Sequence, residues 1–379
     1  MKVYDAASIR NIALVGHTGS GKTQLASAIL TTAGMVNRFG KVDEGTTVTD
    51  FDEEEIARKH TLSASLAYAE WNKHKINLID TPGMGNFLSD ARAGLQVADA
   101  ALIVIDAVAG VMVQTEKVWE TAQDLDLPRV IVVNRLDRER ASLDRSLQSL
   151  RETCSRTVIP VQLPIGEERN FRGVVDLITR KAFVFQTDES GKFKEEPVPA
   201  DLKDAVEAAR EALIEMVAEA DEPLMEKFFE AGTLTDEELV SGLRKATMAA
   251  KVFPLVCASA ALNIGMPQLL DVVVNVLPSP VDRPFKGRAK GGDDLERVAD
   301  DKAAPAAFVW KTIADPFAGR ITMFRVVSGS LKSDSTVYNK TKDLQERFGT
   351  LQLLQGKTPA AVPEIFTCRA RPCSCWSRR

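Results

Sequence analysis

The sequence predicts an α/β protein: a mostly parallel sheet with helices on both faces, an inserted α+β subdomain, and then an incomplete β-barrel. Three observations predict it. Continuous apolar runs alternate with amphipathic segments, polar motifs close those runs, and the last third changes to short alternating segments broken by Gly and Ser-Asp turns.

Residues 10–15, RNIALV, read as a short buried strand, and TQLASAILTTAG follows with helical spacing. KINLID, AALIVIDAVAG, LPRVIVVNRLD and KVFPLVCASA supply four more strands, with the amphipathic segments VQTEKVWETAQDL and LDRSLQSLRETC between them. Strands apolar throughout are what a sheet covered on both faces needs. Ligands of such sheets bind outside the carboxyl ends of the strands, and the polar motifs stand there.

Composition narrows the class. The chain has 379 residues, 45% hydrophobic and 27% charged, with a net charge of −5. That balance argues against diffuse electrostatic binding to nucleic acid, and no DNA partner is expected, although a local patch can still hold RNA. No apolar run approaches the ~20 residues of a membrane span, so no membrane partner is expected. The opening MKVYDAASIR lacks the apolar core of a secretory signal, so a cytoplasmic location is expected. Of the cysteines, Cys368, Cys373 and Cys375 crowd the final dozen residues at spacings that match no common zinc pattern.

Four motifs carry the chemistry. GHTGSGKT comprises Gly16, His17, Thr18, Gly19, Ser20, Gly21, Lys22 and Thr23, set between a strand and a helix. Its glycines let backbone N–H groups wrap an oligophosphate at the helix N-terminus. Lys22 can reach the β- and γ-phosphates, and the Thr23 hydroxyl can hold Mg²⁺. His17 reads as packing. In Asp80-Thr-Pro-Gly83, Asp80 is expected to orient Mg²⁺ and the Gly83 N–H to report a γ-phosphate. In Asn134-Arg135-Leu-Asp137, the Asp137 carboxylate can accept two N–H groups of guanine that adenine lacks, with Arg135 lying on the purine face. In CASA, backbone N–H groups near Ser259 and Ala260 can meet guanine O6. The order of the four favours GTP and GDP over adenine nucleotides. DFDEEE reads as a solvated face, His74 as solvated, and Trp119 and Trp310 as core or partial core.

At these residues the chain resembles bacterial elongation factor G, a translational GTPase that drives translocation on the ribosome. The resemblance runs from Ile9 to about Ile365. It includes the long insert with VQLPIGEERNFRGVVDLITRKAFVF, the exit VLPSPVDRP, and the barrel-like GRITMFRVVSGSLKSDSTVYN. It implies a P-loop GTP-binding domain over 1–280 with an inserted subdomain at about 157–252, and a barrel domain over 281–366. It also implies GTP hydrolysis with Mg²⁺, the ribosome (rRNA and ribosomal proteins) as partner, and a monomer.

Three positions depart from that family. Met84 stands where it has a histidine thought to position the attacking water, and methionine cannot do this. Arg58-Lys59-His60-Thr61-Leu62 stands in place of Arg-Gly-Ile-Thr-Ile, with Lys59 for glycine and His60 for isoleucine, and keeps the Thr61 hydroxyl that the resemblance adds to Thr23 and Asp80 as the metal set, closing on Mg²⁺ and the γ-phosphate. Gly19 stands where aspartate is usual. Slow hydrolysis is therefore expected, with His60 partly taking over the positioning role beside Thr61, Gly83 and Met84. Residues 367–379 satisfy no strand pattern and read as an aberrant, frameshifted tail that leaves the barrel unclosed. Translocation is not expected of such a chain. Two other readings of the same sequence are a GTP-dependent ribosome-binding module with little turnover and a nonfunctional fragment.

Overall fold

The computed structural model describes residues 4–288, 292, 294–315, 319–347 and 349–367, together with the backbone of 374–378. The first part is built on β1 (Ile9–Val15), β2 (Ser65–Trp71), β3 (His74–Asp80), β4 (Ala100–Asp106), β5 (Arg129–Asn134), β6 (Val158–Pro160) and, after the insert, β11 (Phe253–Cys257). These form one seven-stranded sheet in the order β2-β3-β1-β4-β5-β11-β6. Every pairing is parallel except the β2–β3 hairpin at one edge.

The connections are α1 (Lys22–Thr32), the short α2 (Glu53–Arg58), α3 (Leu88–Val97), α4 (Val113–Asp124), α5 (Leu143–Thr153) and, at the end, α9 (Met266–Val276). β1 shows why its residues are apolar throughout. Ile12 and Leu14 join a core with Leu25 and Ile29 of α1 and Leu269 and Val273 of α9. Ala13 and Val15 face the opposite core, with Leu95 of α3, Trp119 of α4 and Leu150 of α5. Successive side chains point to opposite faces, so a strand covered twice has no polar side to spare. Trp119 is buried, with its ring 4.8 Å from that of Phe253.

At the start of the insert, expected at about residue 157, β6 still pairs in parallel with β11 in the main sheet. The separate unit starts with β7 (Gln162–Ile165), β8 (Gly173–Asp176), β9 (Lys181–Phe185) and β10 (Phe193–Glu196), an antiparallel four-stranded sheet. It continues with α6 (Lys203–Glu219), α7 (Glu222–Ala231) and α8 (Asp236–Met248). A three-residue strand carries too little periodicity to be told from the segment that follows it.

The second part contains β12 (Phe285–Arg288), β13 (Asp294–Arg297), β14 (Ala306–Asp315), β15 (Gly319–Ser328), β16 (Ser330–Lys332), β17 (Thr336–Asn339), β18 (Leu344–Arg347), β19 (Leu351–Gln355), β20 (Thr358–Val362), β21 (Glu364–Phe366) and β22 (Ser374–Arg378). Phe324, Leu331, Leu351, Leu353, Val362 and Ile365 form its own core. β22 corrects the expectation of a tail without strand structure: it lies between β15 and β19, antiparallel to both, in the order β14-β15-β22-β19-β20. Ladder hydrogen bonds come from the backbone, so an extended segment can fill a gap between two strands without alternating side chains. Thr367 is also buried, its hydroxyl donating to Gly329 O at 2.9 Å. Cys368, Cys373 and the side chain of Cys375 lie outside the described residues.

The two parts touch along a seam that is apolar where Met323 joins the core of Leu95 and Trp119, and polar around Arg325. The Arg325 guanidinium reaches Asp99 Oδ1 at 2.8 Å and Val97 O at 2.7 Å. Asp99 also accepts from Asn11 Nδ2 at 2.7 Å, and Asn11 Oδ1 accepts from Asn77 Nδ2 at 2.7 Å. Among the described residues no helix is long and apolar enough to cross a membrane.

Candidate functional site

The loop 16–21 joins the end of β1 to the start of α1 and folds around its own lysine. Lys22 Nζ donates to Gly16 O at 3.1 Å and His17 O at 2.9 Å, and Ser20 N–H donates to His17 O at 3.3 Å. Burial pushes the Lys22 ammonium down to about 8, against the charges of Asp80 and Asp50. Burial, then Lys22, also lowers the pKa of His17, so its imidazole is neutral at pH 7. The turn after Asp80 lies directly on this loop. A Cβ at Gly83 would come 2.4 Å from Lys22 Nζ and 2.6 Å from Thr18 N, an approach only glycine permits.

On one side of the loop, hydroxyls and carboxylates converge. Thr23 Oγ1 and Thr61 Oγ1 are 2.8 Å apart, and Thr61 donates to Asp50 Oδ1 at 2.9 Å. Thr49 donates to Asp80 Oδ2 at 2.7 Å, while buried Asp80 Oδ1 closes no hydrogen bond of its own. Burial, then the charge of Asp80, pushes the Asp50 carboxyl up to about 7. Burial raises Asp80 as well, opposed first by the Thr49 hydroxyl and then by Lys22. Two buried carboxyls that resist ionising together, one with an orphaned oxygen, fit a hard divalent cation. Thr23, Thr61 and Asp80 would hold Mg²⁺, whose charge would let both carboxyls ionise. The run DFDEEE is thus not a solvated face at its ends. Asp50 is buried, and buried Glu55 accepts from the Leu62 and Ser63 amides at 2.9 and 3.1 Å. Local sequence signals the charge of these residues but not the fold of the loop over them.

On the other side, Asn134 joins three motifs. Its Nδ2 donates to Ser20 O at 2.9 Å, and its Oδ1 accepts from Ala260 N–H at 2.8 Å. Asp137 Oδ1 accepts from the Ser259 hydroxyl at 2.6 Å. The Ser259 N–H is engaged by Ile264 O at 3.1 Å. The amides of Ser259 and Ala260, expected to meet guanine O6, are therefore committed to shaping the site. Arg135 is held by Asp106, with Nη1 2.8 Å from Oδ2. Sequence reasoning misses Asp106, although it ends the run AALIVID as Asp80 ends KINLID, and that parallel is the available signal.

Between the two sides lies a cavity of about 340 Å³, lined by Thr18, Gly19, Gly21, Lys22, Thr23, Asp50, His60, Thr61, Gly83, Asn134, Arg135, Asp137, Ala260 and Ala261, among others. Gly16, His17, Ser20, Asp80 and Ser259 support it from behind. His60 is exposed at its mouth, and half-buried Met84 stands just outside the lining.

This arrangement agrees with the comparisons to known proteins. Residues 7–279 match the family described as the elongation factor Tu GTP binding domain, and residues 304–369 match elongation factor G domain 2. The fold is similar to that of a protein of Thermus thermophilus solved by crystallography. The sequence identity is 32% and the TM-score 0.83, over 98% of this chain and 55% of that one. The chain thus spans about half the length of that relative. With most of its length matched by one GTP-binding domain, the chain belongs to the translational GTPases that share the elongation factor Tu GTP-binding domain.

Proposed function

We propose that this chain binds GTP and GDP with Mg²⁺, engages the ribosome, and hydrolyses GTP to GDP and phosphate slowly, as a cytoplasmic monomer. The observation that carries the reading is the convergence of Thr23, Thr61, Asp50 and the orphaned Asp80 oxygen beside a cradle closed on Lys22. Mg²⁺ held there by Thr23, Thr61 and Asp80 would offset the negative charge of the phosphates. The chain's own part is to place Lys22, the loop amides and the Gly83 N–H around them, with Asp137 and Arg135 fixing the base. Calorimetric titration should show GDP binding that needs Mg²⁺ for full affinity, and no binding of ADP. Equal affinity for the two would sink the reading.

Slow turnover is supported by the side chains at the mouth of the cavity. No imidazole follows Gly83, and the one in the segment 47–64 that closes over the site (switch I) is His60, exposed and next to Thr61. Phosphoryl transfer depends on positioning and electrostatics, and a well-placed polar group contributes ~10²–10³ in rate when fully enclosed. An exposed one contributes less, so His60→Ala should lower ribosome-stimulated turnover by about tenfold at unchanged GTP affinity. Met84→His should raise it. Turnover of His60→Ala equal to that of the parent would remove His60 from the reaction and leave a binding module with little turnover.

A further inference from the structure

The nucleotide site is clasped from the second domain. Switch I carries Thr49, Asp50 and Thr61, and residues of the barrel hold it on both sides of that segment. On the far side, Lys311 Nζ from β14 donates to Ala64 O at 3.0 Å, to the Ser63 hydroxyl, and to Asp90 Oδ2 at 2.6 Å. Asp90 lies on α3, just past the Gly83 turn, and its Oδ2 also accepts the Ala64 N–H at 2.8 Å. Lys311 is buried to 9% side-chain exposure, so its ammonium depends on these partners. Gly356, between β19 and β20, donates its N–H to Leu66 O at 2.7 Å on that same far side and reaches the near side at Val48. Its backbone also presses on Val48, where a Cβ would come 1.9 Å from Val48 O. Val48 directly precedes Thr49 and Asp50, and Ser63 follows Thr61 by two residues.

We infer that Lys311 and Gly356 are positioning residues: the barrel sets the closed form of switch I, so that the metal and γ-phosphate side of the site is a joint product of the two domains. The inference rests on the nucleotide reading above. Neither residue lines the cavity, so each acts only through Thr49, Asp50 and Thr61. Those three serve the metal side, whereas the base and the first phosphates are met by the P-loop and Asp137. The expected signature is therefore a split between nucleotides.

The test uses the full chain with Lys311→Met, which keeps the apolar stem, and Gly356→Ala, which drives Val48 away. Hydrogen exchange on the nucleotide-free protein should speed up in both variants across 47–52 and 61–66, with protection kept in β4 and β5. The affinity for a non-hydrolysable GTP analogue relative to GDP should fall about tenfold, the size of one charge-assisted bond lost. Exchange unchanged at 47–52 and 61–66 overturns the inference. An equal loss of both nucleotides also overturns it, marking a general structural role. If the parent chain binds neither nucleotide, the nucleotide reading fails, and the exchange measurement still decides whether the barrel sets switch I.

Discussion

Replacing Asp137 with asparagine is expected to weaken GDP binding by about 10²–10⁴ and to create affinity for xanthosine diphosphate. The Asp137 carboxylate stands at the cavity wall with one oxygen fixed by the Ser259 hydroxyl at 2.6 Å. In the proposed complex it accepts two guanine N–H donors, each charge-assisted bond being worth about 1.5–3 kcal/mol. Losing both is thus about 3–6 kcal/mol, and each 1.4 kcal/mol is about tenfold in affinity. The asparagine amide can keep its oxygen on Ser259 and turn its NH₂ toward the carbonyl that xanthine has in place of the guanine amino group. Titration of the variant with both diphosphates checks this. Undiminished GDP affinity would show that the base lies elsewhere.

The second large effect concerns the seam between the domains. Arg325→Ala should destabilise the chain by about 3–5 kcal/mol, because Asp99 would remain buried without its ion-pair partner. The side chains of this pair are 9% and 3% exposed, and the guanidinium also satisfies Val97 O. The double variant Arg325→Met, Asp99→Leu removes the stranded charge along with its partner and should recover most of the loss. Denaturant unfolding of the two variants is the measurement, with loss of cooperativity between the parts expected in the single variant. A single variant as stable as the parent would mean that water reaches Asp99.

The parts of this molecule that the sequence announces are those written in consecutive residues. The phosphate loop, the Asp80–Gly83 turn and the Asn134–Asp137 motif each occupy a strand end, where local pattern and site coincide. β2 is not announced, because SLAYAEW is half covered and mixes small and polar residues. Nor is the burial of Asp50 and Glu55, since an acidic run looks alike whether a loop closes over it or not. Asp106, Arg325, Lys311 and Gly356 act on partners far away in the chain, and no local periodicity encodes such pairings. The resemblance to a family carries the order of the parts, whereas the strand at 374–378 escapes notice because its residues show no alternation.

One contact of the seam bears on how the chain is made. β2 is an edge strand, and the Gln355 side chain binds its backbone as a neighbouring strand would, accepting Tyr68 N–H at 2.9 Å and donating to Tyr68 O at 3.3 Å. The two residues are 287 positions apart. Synthesis at about 5–20 residues per second leaves roughly 15–60 s between the emergence of Tyr68 and that of its cover. For that time the nascent sheet offers an open ladder at its margin, the kind of edge along which chains pair with one another. Crowded polysomes would place several such margins side by side, so the demand for chaperone shielding falls on the first domain and ends when the β19–β20 turn arrives.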